Sequence, residues 1–188
     1  MENVSIVPGS LSAIAQRNGI SIAESFLTAE IVAIVDVSGS MDTADSRGRR
    51  RRYDVACEEL GKLQQQHPGK VAVVAFSDTT QFVPGGVPPF LGAGTDLAQA
   101  LKFVRVADGT VRFVVISDGY PDDEYHALEI ARTFTSPIDC VYIGPEYERS
   151  GADFLERLAR SNRGRYTVAA QAQELCERVQ TLMLAASQ

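Results

Sequence analysis

The sequence lacks the features that mark membrane-spanning, secreted and nucleic-acid-binding proteins. No apolar run approaches the roughly 20 residues that a membrane-spanning helix needs. Residues 1–4 carry no basic stretch and no long apolar core follows them, so we expect no signal peptide and a cytoplasmic protein. The net charge of −6 argues against nucleic acid as the main partner.

Cysteine and histidine are also scarce, which restricts the available chemistry. The three cysteines, Cys57, Cys140 and Cys176, have no metal-type spacing, and their odd number favours reduced thiols in a cytoplasm. The two histidines, His67 and His126, belong to no motif that supports a Ser-His-Asp triad. We expect surface or capping roles for both histidines.

The remaining pattern is typical of one globular α/β domain. The chain has 188 residues, of which 45% are hydrophobic and 22% charged. Short runs rich in Val and Ile predict buried parallel strands at 30–37, 70–76, 111–117 and 138–143. Apolar residues at helical spacing predict helices at 53–66, 95–106, 123–134, 152–160 and 172–186. With an antiparallel edge strand at 80–83 and a short last strand at 165–168, this alternation predicts an open, doubly wound sheet.

The first 29 residues stand apart from this alternation. Their apolar positions fall on one helical face, which is broken near Asn18 and Gly19: Leu11, Ile14, Ile22 and Phe26. We interpret residues 1–29 as an N-terminal arm that packs on or beside the domain formed by 30–188. A partner-binding arm is the alternative, because terminal segments are ordered only when they are docked.

Three loops that follow predicted strands carry oxygen-bearing side chains. In open sheets of this class, ligands bind beyond the carboxyl ends of the strands, where the winding reverses. The candidate ligands are Asp36, Ser38, Ser40, Thr95 and Asp118. Carboxylates and hydroxyls without His or Cys favour a hard cation, Mg²⁺ first and Mn²⁺ or Ca²⁺ next. For each residue taken alone, a turn or helix-capping role is the alternative.

These loops together resemble the von Willebrand factor A domain. Its metal-ion-dependent adhesion site is built from an Asp-x-Ser-x-Ser loop, a distant Thr and a distant Asp. The matching segments are Asp36-Val37-Ser38-Gly39-Ser40, Gly94-Thr95-Asp96 and Ser117-Asp118-Gly119. All five ligand positions are present, and the resemblance covers about residues 30–186 in element order. It implies a Rossmann-like, six-stranded sheet of order 3-2-1-4-5-6, with the strand of Phe82 as the antiparallel edge.

The neutral ligands indicate how such a site would be used. Three hydroxyls and at most two carboxylates leave a divalent cation electrophilic, so that an Asp or Glu of a partner can fill an open position. The resemblance implies a metal-dependent protein–protein interaction module rather than an enzyme. It further implies that the partner is an AAA+ ATPase of the MoxR type, or a component of a stress or defence system.

Two other functions stay open. A Mg²⁺-dependent phosphatase would use Asp36, but haloacid-dehalogenase-like phosphatases carry a second Asp two residues on, where this chain has Ser38. The only lysine between Thr95 and Asp118 is Lys102, within a predicted helix. A scaffold with a vacant metal site is the third hypothesis. A P-loop is excluded, because no Gly-Lys-Ser/Thr follows the glycines.

A basic run follows the first candidate loop. Five of the chain's 18 Lys and Arg residues fall within six positions: Arg47, Arg49, Arg50, Arg51 and Arg52. A solvated loop is one interpretation, and a strip that docks an acidic partner beside the metal is the second. Phosphate or nucleic-acid binding is the third, although no aromatic residues are interleaved with the arginines.

Further acidic residues lie near the candidate ligands. We interpret Asp96, Asp122, Asp123 and Glu124 as helix N-terminal charges, which the helix dipole favours. A second cation or an acidic rim is the alternative for the run at 122–124. Asp42 and Asp45 follow the first loop closely enough to contact its residues, and the sequence does not decide whether they do.

Overall fold

The computed structural model describes residues 6–145 and 147–169. The predicted helix at 172–186 and Cys176 lie outside these residues. The N-terminal half contains α1 (Leu11–Asn18), α2 (Ile22–Leu27), β1 (Ile31–Asp36), α3 (Arg52–Gln66), β2 (Val71–Phe76) and β3 (Thr80–Phe82). The elements that follow are α4 (Leu97–Val104), β4 (Arg112–Ser117), α5 (Glu124–Ala131), β5 (Ile138–Tyr142), α6 (Arg149–Ser161) and β6 (Tyr166–Val168).

The strands form one doubly wound sheet. Its order is β3-β2-β1-β4-β5-β6, and only β3 runs antiparallel to its neighbour. The predicted fold class, the 3-2-1-4-5-6 order and the antiparallel edge strand are therefore confirmed. In the register, Asp36 pairs with Phe76 of β2 and Val35 pairs with Ile116 of β4. The carboxyl ends of β1 and β4 are thus neighbours at the point where the winding reverses.

The core has two layers because helices cover both faces of the sheet. Every residue of β1 is buried, so its side chains alternate between two apolar clusters. Val32 and Ile34 pack in the cluster that includes Leu101 of α4. Ala33 and Val35 pack in the other cluster. A strand that is covered on both faces requires a continuous apolar run, here rich in Val and Ile. The central strands could therefore be predicted from the sequence.

The helix boundaries differ from the predicted ones where caps decide them. The helix predicted from Thr95 begins at Leu97, because the side chain of Asp96 accepts a hydrogen bond from the backbone N–H of Gln99 and so caps it. The helix predicted for 123–134 likewise begins at Glu124, after an Asp123 cap, and it ends at Ala131. Asp96 and Asp123 are therefore N-caps rather than first-turn residues.

We expect the cap of α4 to contribute measurably to stability. Replacing Asp96 by Ala leaves an N–H at the start of an eight-residue helix without its partner. The free energy of unfolding should fall by about 1 kcal/mol, as measured by urea denaturation. Asp153→Ala is the control, since Asp153 is an exposed residue inside α6. Equal stability of the two variants would show that Asp96 does not act as a cap.

The N-terminal segment folds as two short helices. Gly19 ends α1 in the left-handed conformation, at the predicted break. Leu11 is 1% exposed and joins the core cluster of α4. Phe26 of α2 packs edge-to-face on Phe82 of β3, with ring centroids 5.5 Å apart. In the part of the chain that the structure describes, no helix is long and apolar enough to cross a membrane.

Candidate functional site

The five candidate ligands meet at the carboxyl edge of the sheet. Asp36 is the last residue of β1, Asp118 directly follows β4, and Thr95 lies just before α4. Asp36, Ser38 and Asp118 are fully buried, and Thr95 is 6% exposed. Ser40 is half-buried. The structure therefore brings together the residues that were proposed from three separate segments.

The first loop turns back on itself directly after β1. The backbone N–H of Ser38 donates to Oδ1 of Asp36 over 2.9 Å, which fixes the carboxylate. A short 3-10 turn over Gly39–Asp42 then brings Ser40 beside Ser38. The two hydroxyl oxygens lie 3.2 Å apart. This spacing places two neutral oxygen donors side by side.

Hydrogen bonds between the loops fix their positions relative to one another. The N–H of Gly39 donates to the carbonyl of Ala93 over 3.0 Å, which joins the first loop to the second. The N–H of Thr95 donates to Oδ2 of Asp122 over 2.9 Å, which joins the second loop to the third. The loops around the site are thus connected by the protein's own polar groups.

Ser117 connects the first loop to the third. Its hydroxyl donates to Oδ2 of Asp36 over 2.6 Å, and it accepts from the N–H of Gly119 over 2.9 Å. Both oxygens of the buried Asp36 therefore accept hydrogen bonds. Ser117 belongs to the third matching segment of the sequence, but no role was predicted for it. Its position at the end of a strand that neighbours β1 is the signal that would have identified it.

Gly94 allows the second loop to approach the third. A Cβ at this position would lie 2.8 Å from Oδ2 of Asp122 and 3.4 Å from Oδ1 of Asp78. The N–H of Gly94 donates to that same oxygen of Asp78 over 2.6 Å. Asp122 therefore acts as a link between loops, in addition to its position near the start of α5.

Asp118 has two oxygens in different environments. Oδ2 accepts a hydrogen bond from Nη1 of Arg52 over 2.7 Å. Oδ1 is buried and has no hydrogen-bond partner among the residues that the structure describes. A buried carboxylate oxygen without a partner is costly, and a bound cation is one of the few groups that offset this cost. The oxygen-rich set therefore fits a hard divalent cation.

The environment of Asp36 changes its ionisation. Burial raises the pKa of Asp36 to about 6, and the negative charge of Asp118 acts in the same direction. Hydrogen bonds from Ser117 and Ser38 oppose this rise. The ionised form of Asp36 is thus disfavoured in the absence of a cation, and a cation at the site would favour it.

Four of the five arginines in the basic run are engaged within the molecule. Arg47 pairs with Glu58 and Glu59, Arg50 pairs with Glu58, and Arg51 pairs with Asp42 and Asp54. Arg49 forms no ion pair with the residues that the structure describes. Arg52 is only 6% exposed, so it does not lie on a surface strip.

Arg52 is the site neighbour that sequence analysis placed incorrectly. Its guanidinium donates from Nε and Nη2 to both oxygens of Asp45, over 2.8 and 2.7 Å, and from Nη1 to Asp118. Nη2 also lies 3.4 Å from Oε2 of Glu148. The contact of Asp45 with the site, which the sequence left open, therefore runs through Arg52. A run of similar basic residues gives no signal that one of its members is buried.

The two histidines and Cys140 lie away from this constellation. His67 is the C-cap residue of α3, so of the expected surface or capping roles it has the capping one. It is buried, and burial lowers its pKa. His126 is half-buried on α5, with Nε2 3.0 Å from Nζ of Lys102. Cys140 is buried in the core. In residues 6–145 and 147–169, no group of three or more His, Cys, Asp or Glu side chains is arranged to hold a metal ion. A metal site here therefore depends on the hydroxyl ligands.

No protein-family model and no curated protein matches the sequence. Solved structures do match. An aerotolerance-related membrane protein from Bacteroides fragilis is 16% identical with a TM-score of 0.66, over 81% of this chain and 97% of that chain. The vWF domain of the type V pili tip protein Mfa5 from Porphyromonas gingivalis is 10% identical with a TM-score of 0.62, over 84% of this chain and 95% of that chain. Manganese-loaded TRAP protein from Plasmodium vivax is 15% identical with a TM-score of 0.54, over 77% of this chain and 70% of that chain. The likeness to these structures, together with the sheet order, shows that this chain has the fold of a von Willebrand factor A domain.

Proposed function

We propose that this protein is a metal-dependent protein–protein interaction module. Asp36, Ser38, Ser40, Thr95 and Asp118 would hold a divalent cation, Mg²⁺ in the first instance, and a partner would present an Asp or Glu to it. The bound cation would supply an electrophilic coordination position that a carboxylate can fill. A MoxR-type AAA+ ATPase or a stress or defence component is the partner that the family resemblance implies.

The observation that carries this proposal is the unpartnered oxygen of Asp118. Oδ1 is buried beside a set of side chains that offers only oxygen ligands. Hard cations prefer such ligands, and the paired hydroxyls of Ser38 and Ser40 add coordination without adding charge. The solved Plasmodium vivax structure is described as manganese-loaded, which supports Mn²⁺ as a probe.

A phosphatase mechanism on Asp36 finds less support. A nucleophilic carboxylate must reach the substrate, whereas Asp36 is fully buried and both its oxygens already accept hydrogen bonds. Lys102 lies on α4 beside His126 rather than at the candidate site. The position of Asp36 suits a buried ligand that shapes a metal site better than an attacking group.

The first test is direct measurement of cation binding. We expect wild-type protein to bind Mn²⁺ in calorimetric titration and to melt at a higher temperature with Mn²⁺ than with chelator. Replacing Ser38 and Ser40 together by Ala should weaken binding by about tenfold or more, because two neutral ligands are lost.

Ser136→Ala is the matched control for this double variant. The hydroxyl of Ser136 is also buried, but it accepts from the N–H of Gly109 near the amino end of β5, at the opposite edge of the sheet. This variant should lose some stability and keep wild-type Mn²⁺ affinity. Absence of Mn²⁺ binding by the wild type would overturn the proposed function.

The second half of the proposal concerns the partner's carboxylate. Acetate is the simplest probe, since its methyl protons relax faster when its carboxylate coordinates bound Mn²⁺. We expect this relaxation to be enhanced by wild-type protein with Mn²⁺ beyond the effect of Mn²⁺ alone. The Ser38→Ala, Ser40→Ala double variant should remove the enhancement. If Mn²⁺ binds but does not enhance the relaxation of the acetate protons, the ion occupies a structural site without an open coordination position.

A further inference from the structure

Within residues 6–145 and 147–169, Arg52 is the one cationic side chain that forms an ion pair with a candidate metal ligand. Its guanidinium lies 2.7 Å from Oδ2 of Asp118, and both groups are buried. Charge-assisted hydrogen bonds of this length are among the stronger polar interactions in proteins. The carboxylate that is expected to receive a metal ion thus already bonds to a fixed positive charge.

The same guanidinium ties three loops together. Asp45 belongs to the segment after β1, Asp118 follows β4, and Glu148 directly precedes α6. Asp45 takes two donors in the fork geometry that suits Arg, and Asp118 takes the third. A change in the strength of the bond between Asp118 and Arg52 would therefore affect the segments around Asp45 and Glu148.

We propose that Arg52 is an internal competitor of the divalent cation for Asp118, so that cation binding and the Arg52 tie weaken each other. This inference rests on the proposed function and names a regulation of the same site. Asp118 offers its negative charge through two oxygens: Oδ2 holds Arg52, and Oδ1 is free for the cation. Two positive charges that share one carboxylate repel each other, and this repulsion is strong where water is excluded.

The consequence is a cation site with restrained affinity. Arg52 keeps Asp118 oriented while it offsets part of the charge that would attract a metal ion. By linkage, whatever loosens the bonds of Arg52 to Asp45 or Glu148 changes cation affinity, and cation binding loosens Arg52 in return. The segments around Asp45 and Glu148 are thus the parts of the molecule through which cation occupancy would be transmitted.

Removal of the guanidinium charge is the decisive test. Arg52→Gln should raise Mn²⁺ affinity by about tenfold in calorimetric titration, whereas loss of a purely structural support would lower it. Arg52→Lys keeps a positive charge beside Asp118, so its affinity should stay within about threefold of the wild type. Equal or weaker Mn²⁺ binding by Arg52→Gln, alongside normal binding by the wild type, overturns this inference and leaves the proposed function intact.

Arg112→Gln is the matched control. Arg112 also donates twice to a fully buried carboxylate, that of Asp139, but it does so at the amino ends of β4 and β5. This variant should lose stability without a change in Mn²⁺ affinity. If neither the wild type nor Arg52→Gln binds Mn²⁺, both the inference and the proposed function fail. Binding by Arg52→Gln alone would support the competition and overturn metal dependence of the wild type.

A measurement on the wild type keeps the inference testable if Arg52→Gln does not fold. The Nε–H signal of each arginine can be followed by nuclear magnetic resonance during titration with diamagnetic Mg²⁺. We expect the signal of Arg52 to shift and its exchange with water to increase, while the signal of Arg112 stays constant. An unchanged Arg52 signal at saturating Mg²⁺ would show that the cation and the guanidinium do not compete.

Discussion

Asp36→Asn is expected to make the metal-free protein more stable and to abolish cation binding at the same time. Burial and the charge of Asp118 raise the pKa of Asp36 to about 6 in the folded protein, from 3.8 as the ordinary value. A carboxyl group whose pKa is raised in the folded state contributes to the free energy of unfolding at low pH. This contribution to stability is lost as the pH rises through 6. Above that pH the ionised Asp36 therefore disfavours folding, by about 3 kcal/mol.

Asparagine has no charge to bury, so the Asp36→Asn variant should not lose stability as the pH rises through 6. In chelator, urea denaturation should give Asp36→Asn a larger free energy of unfolding than wild type at pH 8, and a similar one at pH 4. Cation affinity at pH 8 should fall by about two orders of magnitude, because a charged ligand is removed. Addition of Mn²⁺ should then stabilise the wild type and not the variant.

Asp139→Asn is the control for both expected effects of Asp36→Asn, the gain in stability without cation and the loss of cation binding. Asp139 is also fully buried, but both its oxygens accept hydrogen bonds from Arg112. Neutralising Asp139 leaves Arg112 without its partner and should cost about 3–5 kcal/mol at pH 8. Cation affinity should stay unchanged. If Asp36→Asn were destabilised in chelator to the same degree, Asp36 would be a structural carboxylate rather than one held for a ligand.

The sheet, and the place of the candidate ligands at its carboxyl edge, could be predicted because both follow from short-range pattern. An apolar run such as 31–35 can be stable only between two covered faces, and the polar residue that follows it must lie at a sheet edge. The order of strands came from the family resemblance, since Asp36 and Asp118 are 82 positions apart and composition does not say which strands are neighbours.

The role of Arg52 could not be predicted because it depends on the direction of one side chain among five similar ones. Arg52 occupies the first position of α3, and this points its guanidinium toward Asp118, while Arg51 points to Asp54 on the exposed side. From sequence, both residues belonged to one basic run, interpreted as a solvated loop, a docking strip or a phosphate-binding segment. The start of α4 was misplaced for a related reason, because Thr95 and Asp96 are both good capping residues and only the fold decides between them.

A large loss of stability is also expected from Gly119→Ala, directly after the candidate ligand Asp118. Gly119 has a φ of +81°, and a Cβ there would lie 2.1 Å from the carbonyl oxygen of Gly151. The backbone of α6 cannot give way as a flexible side chain can. The strained φ and the overlap together should lower the free energy of unfolding by about 3 kcal/mol.

Gly61→Ala tests whether this loss comes from the position or from glycine replacement in general. Gly61 lies inside α3, and a Cβ there would meet no atom within 4 Å. This variant should be more stable by about 0.5–1 kcal/mol in urea denaturation, because Ala favours helix over the unfolded chain. Gly119→Ala should also lose Mn²⁺ binding under conditions where it remains folded, since its backbone positions Asp118. Wild-type stability of the Gly119→Ala variant would mean that α6 does not pack tightly against the end of β4. Wild-type Mn²⁺ affinity of that variant would mean that the candidate metal ligands tolerate movement of the strand that carries them.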